Sequence, residues 1–134
     1  MDKAGTALTK HGVGRRKSSV ARVWLKPGTG KVVVNGKDYK TYFDTGLTRS
    51  AVVFPFKICG MEKNFDAKIA VVGGGMSGQA DAVKLGISRA LLASNQTLKS
   101  VLRQHGLLTV DARIKERKKY GQKAARRRFQ FVKR

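Results

Sequence analysis

From Val20 to Leu25 the chain alternates, with Ala21, Val23 and Leu25 on one side and Val20, Arg22 and Trp24 on the other. That period of two predicts a strand with unlike faces; its Trp24 could stack on a base, although a strand tryptophan in a small protein normally packs in the core. Lys26-Pro27-Gly28-Thr29-Gly30-Lys31 then supplies turn chemistry before Val32-Val33-Val34. Together these segments predict a β-hairpin with a basic loop, closed by the turn signal Asn35-Gly36. Tyr39, Tyr42 and Phe43 suggest a short packed turn, and Thr48 is placed to cap a helix that Pro55 disturbs. Phe65 to Val72 alternates most cleanly, Phe65, Ala67, Ile69 and Val71 against Asp66, Lys68, Ala70 and Val72. Gly73-Gly74-Gly75 breaks that strand. A helix is predicted from Ser77, with Ala80, Val83, Ile87 and Leu91 at helical spacing. Asn95 should cap a further helix carrying Leu98, Val101 and Leu102 and ending at His105-Gly106. Beyond Val110 the apolar periodicity stops, and no segment repeats.

These patterns divide the chain into an arm at 1–12, a globular domain at 13–110 and an extended tail at 111–134. With 134 residues there is material for one small core. Charge changes the picture. The formal net charge is +21, and the domain and the tail both carry the excess. Arg113 to Arg134 alone holds eleven Lys/Arg against the single acid Glu116. Such a run repels itself and buries almost nothing, so its partner should be a polyanion, and nucleic acid is favoured over a membrane. Tyr120, Phe129 and Phe131 sit among those charges, where they can stack on bases. Nothing approaches the roughly 20 apolar residues that span a bilayer, and the first fourteen residues lack an apolar signal-peptide core and read as a flexible arm. The lone Cys59 rules out an internal disulfide and fits a reducing compartment.

Enzymatic chemistry has little material. Gly73, Gly75 and Gly78 satisfy the glycine spacing of a dinucleotide loop, but the acid expected about 20 residues later is missing. As a phosphate-binding P-loop the segment fails at Gln79 and Ala80, which stand where Lys and Ser/Thr are required. Glycines before a helix can still admit an RNA phosphate to the free N–H groups of its first turn, or can simply make a tight turn; both readings stand. His11, His105 and Cys59 have neither metal-ligand spacing nor a second thiol, so no cofactor, no metal and no catalytic constellation are expected. Arg15-Arg16-Lys17 followed by Ser18-Ser19 suits phosphate contacts at the entry to the first strand, with arginine able to grip in bidentate fashion.

Four stretches in register carry a resemblance: GVGRRKSSVARVWLKPGTGKVVVNG, GGGMSGQADAVKLGISRALL, LLTVDARIKERKKYGQKAARRRFQF and the terminal KR. From about Gly12 to Arg134 the chain resembles ribosomal protein nine of the small subunit, in its bacterial and organellar form. The resemblance implies an α/β (α+β) fold: a mixed sheet of about four strands with helices packed on it, similar to the second domain of ribosomal protein five, plus the basic tail. It also implies a non-enzymatic structural role in the head of the small ribosomal subunit, among neighbouring head proteins and without a membrane. The expected contacts to ribosomal RNA (rRNA) are Arg15, Arg16, Lys17, Ser18 and Arg22, then Gly74 and Gly75. In the tail they are Lys115, Arg117, Lys118, Lys119, Lys123, Arg126, Arg127, Arg128 and Phe129. Lys133 and Arg134 are expected to reach the anticodon stem-loop of tRNA in the peptidyl (P) site. Two positions depart from the family pattern. Val132 replaces the usual Ser, which leaves a hydroxyl contact in question, and Phe129 replaces a common Pro. The second departure leans toward mitochondria or the bacterial group related to them, so the expected compartment is a bacterial cytoplasm or an organelle matrix, the mitochondrion ahead of the chloroplast. A basic RNA chaperone outside any ribosome is the alternative function.

Overall fold

The computed structural model describes residues 9–114 and 117–127. Five strands form one mixed sheet: β1 (Lys10–Arg16), β2 (Ser19–Pro27), β3 (Val32–Val34), β4 (Lys37–Asp38) and β5 (Phe65–Val72). Their spatial order is β1-β2-β5-β3-β4, antiparallel throughout except for the parallel pair β3 and β5. The helices are α1 (Tyr39–Tyr42), α2 (Gly46–Cys59), α3 (Met76–Ser94) and α4 (Lys99–Gln104), the last preceded by a 3-10 turn at Gln96–Leu98.

Alternation sorts the sheet into two faces. Ala21, Val23, Leu25, Ala67, Ile69, Val71, Val32 and Val34 point inward and are buried under the helices. From the helical side Val52, Phe56, Val83, Ile87, Leu91 and Leu102 close the core, with Phe43 at its edge. The sheet is thus the predicted α/β layer, with five strands where about four were expected.

The predicted β2–β3 hairpin does not form, because β5 lies between those strands. Turn residues report that the chain reverses, not which strand fills the gap. The connecting loop spans the start of β5, whose Asp66 carboxylate accepts hydrogen bonds from the backbone N–H groups of Thr29, Gly30 and Lys31 at 2.9–3.1 Å. Ala67 N–H donates to the Lys31 carbonyl at 2.9 Å and starts the parallel pairing. That carboxylate gives the loop donors a partner that hairpin pairing would otherwise have supplied.

The sheet also begins earlier than the predicted arm allowed, since Lys10, His11 and Gly12 belong to β1. The inward positions of β1 are Gly12 and Gly14 rather than branched residues, which hid the strand from its pattern. Their role is close approach: a Cβ on Gly14 would overlap the Ala82 carbonyl, and one on Gly12 the Gly86 carbonyl. Gly86 returns the favour from α3, so strand and helix backbones meet directly.

Smaller differences have local causes. Thr45, not Thr48, caps α2: its hydroxyl accepts from Thr48 N–H, while the Thr48 hydroxyl donates to the Thr45 carbonyl. Pro55 does not end α2, which runs on to Cys59 and stops at left-handed Gly60. Asn95 caps the 3-10 turn rather than α4, accepting from Thr97 N–H at 3.0 Å; α4 follows Leu98 without a side-chain cap and ends at left-handed Gly106.

Candidate nucleic-acid interface

Arg15, Arg16 and Lys17 put three successive cations at the β1–β2 turn. Arg16 pairs with Ser19, leaving Lys17 and Ser18 as an exposed two-residue loop with Lys17 in the left-handed region at φ 54°. Beneath it Ser19 is fully buried and donates to the Gly73 carbonyl at 3.0 Å. Gly73 and Gly74 both adopt positive φ, at 78° and 63°, conformations glycine takes without strain. A Cβ on Gly74 would strike the Ser19 hydroxyl, so the glycine loop is moulded onto the turn.

Gly75 then caps α3 without any side-chain hydrogen bond, and the first turn of that helix carries no acid. The space around the Gly75 α-carbon is open. Lys17, Ser18 and the start of a 19-residue helix therefore share one corner of the molecule. Helix-terminal N–H groups, an ammonium and a hydroxyl together suit a phosphate oxygen. Gln79 further disqualifies the P-loop reading. Its amide donates to the Gly73 carbonyl at 3.0 Å and its oxygen accepts from the Tyr42 hydroxyl at 2.7 Å, tying the loop to the body.

Arg15 and Arg22 share the open face of the sheet, whereas Arg16 turns the other way. Arg15 is exposed on the open face of β1. Arg22 is exposed on the open face of β2, its guanidinium 5.6 Å from the Trp24 ring centroid. Arg16 turns inward, its side chain only 14% exposed. It donates to the carbonyls of Arg113 at 2.8 Å and Asp111 at 3.3 Å, and pairs with the carboxylates of Asp111 and Asp81. Among the described residues its work is to clamp the beginning of the tail to the body, a role that the reading as an RNA contact missed. Residues 95 positions apart carry no local sign of such a bond. Asp111 also holds Arg113 in a bidentate pair, and the Arg113 guanidinium keeps that carboxyl far below the usual carboxylate range.

Trp24 is not in the core. It lies half-buried on the open face, with the His11 ring 5.1 Å away and tilted by 40°. The strand alternation put Val20, Arg22 and Trp24 on one face; β2 runs on through Lys26, and pairing with β5 brings Lys68 beside Trp24. Farther on, Arg117, Lys118, Lys123, Arg126 and Arg127 are exposed and Lys119 is half-buried, in a segment turned back by Lys123 N–H donating to the Arg127 carbonyl at 2.8 Å. Tyr120 is 97% exposed. Lys115, Arg128, Phe129, Lys133 and Arg134 lie outside the described residues, as does Val132. Among the described residues no cluster of His, Cys, Asp or Glu could hold a metal ion, and burial raises the pKa of Cys59. No described helix is long and apolar enough to cross a membrane.

A family model described as "Ribosomal protein S9/S16" matches residues 14–134. The chain belongs to this family. It is 52% identical to the small ribosomal subunit protein uS9 of Cytophaga hutchinsonii, over 91% of this chain and 95% of that one. It is 51% identical to uS9 of Christiangramia forsetii, over 92% of this chain and 97% of the relative. With uS9 of Desulfosudis oleivorans it shares 46% identity over 96% and 98% of the two chains. These relatives are bacterial and give no support to the mitochondrial lean drawn from Phe129.

Proposed function

We propose that this member of the S9/S16 family is a structural constituent of the small ribosomal subunit, seated in its head beside neighbouring head proteins and bound to rRNA. The observation that carries the reading is the corner where Lys17 and Ser18 meet the start of α3, which has no side-chain cap and no acid in its first turn. Near-full-length likeness to relatives named as small-subunit proteins supports the address. Their bacterial sources favour the bacterial cytoplasm as the compartment.

The body anchors and the tail works. Lys17, Ser18, Gly75 and Arg15 meet phosphates, which carry no sequence information but set position. Arg16 holds Asp111 and Arg113, so the tail leaves the body from a defined point. From there the cations from Lys115 to Arg128 neutralise rRNA phosphates in a crevice too narrow for a globular domain. Lys133 and Arg134 reach the anticodon stem-loop of P-site tRNA. A guanidinium on a phosphate reads no base, as a part serving every tRNA requires.

Deleting Lys133 and Arg134 tests the tail. Subunits carrying that deletion should assemble normally and hold P-site tRNA more weakly in filter binding; unchanged occupancy would remove the tRNA contact from the account.

A further inference from the structure

The sheet has a second face that the helices leave bare, and its chemistry is not that of a solvated surface. In the register of β1, β2 and β5, His11, Trp24 and Lys68 stand in one row, with Val13, Arg22 and Ala70 in the next. Three adjacent strands make such a row roughly 10 Å wide, enough for one flat base and its phosphate. Beside the row is a groove of about 840 Å³ running to β3, lined by Trp24, Lys26, Lys31, Val33 and Lys68. Among the described residues Asp66 is the one acid lining it, and that carboxylate is already engaged by three backbone N–H groups.

We propose that this face binds single-stranded RNA, with a base stacked on Trp24 and the flanking phosphates held by Arg22 and Lys68. The inference rests on the rRNA-binding reading and extends it from the β1–β2 corner, past Arg15, across the open face of the sheet. Charge complementarity selects the occupant: cations surround an aromatic ring and small apolar side chains, and the Asp66 carboxylate is spent. An A-form duplex presents phosphates and 2′-hydroxyls but no free base plane, so the ring calls for an unpaired nucleotide. The Arg22 guanidinium lies over the indole, 5.6 Å from its centroid, with the His11 ring 5.1 Å away; a base that takes the place of Arg22 on the ring leaves the guanidinium beside its phosphate.

Trp24 is the sole tryptophan of the chain, so its emission reports on this face alone. The full-length protein is titrated with fluorescein-labelled octauridylate, following label anisotropy and tryptophan emission together. Both should saturate at one Kd. Arg22→Ala and Lys68→Ala should each weaken binding and lower the salt slope by about 0.7. Trp24→Leu, followed by anisotropy, should cost roughly 5- to 150-fold in affinity, as one lost base stack does. Circular dichroism melts confirm that the variants, altered at exposed or half-buried positions, remain folded. If anisotropy rises while Trp24 emission and the alanine variants stay as wild type, RNA is held elsewhere and this face belongs to another partner. That outcome overturns the proposal and leaves the rRNA reading intact. No rise in anisotropy at all overturns both.

Discussion

Gly14→Ala probes the contact on which the body depends. The added methyl group would lie inside the contact distance of the Ala82 carbonyl carbon and oxygen and of the Gly86 amide nitrogen, all backbone atoms of α3. No side chain can swing aside, so β1 and α3 must part by roughly 1.5 Å to restore ordinary contact. Overpacking of this kind costs about 1–3 kcal/mol, and separating the layers also loosens the packing around Val23, Ala82 and Ile87. Reduced freedom of the unfolded chain returns about 0.4–1 kcal/mol, so a net loss of about 1.5 kcal/mol is expected. At about 4–8 °C per kcal/mol for a domain of this size, Tm should fall by roughly 10 °C. Gly46→Ala is the internal control. Gly46 opens α2, a Cβ there meets nothing, and helix propensity predicts a gain of about 0.5 kcal/mol. Thermal unfolding followed at 222 nm measures both. A Gly14→Ala protein melting with the wild type would refute the direct backbone packing of β1 on α3.

Two further outcomes concern acids and the clamp. Backbone donation, from Lys31 foremost and also from Thr29 and Gly30, lowers the pKa of Asp66 below its ordinary 3.8. The charged form is therefore favoured in the fold: its contribution is complete at neutral pH and is lost as pH falls from about 3.8 through the lowered value. Asp66→Ala should flatten that part of the acid-unfolding curve, and an unchanged curve would mean the loop does not depend on it. Arg16→Ala should release the clamp at the cost of about 1–2 kcal/mol of charge-assisted hydrogen bonding. Faster amide hydrogen exchange at residues 111–114, with β2 and β5 unaffected, is the expected readout; protection equal to wild type would deny Arg16 its role in holding the tail.

Where a face was built from branched residues the sequence was transparent. β2, β5 and the apolar stripe of α3 follow directly from their periods. The inward face of β1 was opaque, because glycines chosen for close approach erase the alternation that marks a strand. Strand order was opaque for another reason: Pro27-Gly28 announces a reversal, but insertion of β5 depends on Asp66, 35 residues beyond Lys31. The candidate interface divided similarly. Charge identified the class of partner and the β1–β2 turn, while the inward course of Arg16 and the open-face position of Trp24 required tertiary neighbours. Resemblance supplied what physics alone left open, the choice of ribosome over any other polyanion.

The central claim is that this chain is a resident of the small subunit rather than a loose RNA binder. Cells expressing a tagged copy are lysed, and ribosomal subunits are sedimented through a gradient at moderate salt. A protein anchored by the β1–β2 corner, the sheet face and a threaded tail should travel with the small subunit in equal amount. A free binder held by surface charge alone should elute as counterions compete, since affinity from phosphate contacts falls by orders of magnitude between about 50 and 200 mM salt. Co-sedimentation in unit stoichiometry is the predicted result; loss of the chain to the top of the gradient would contradict the account.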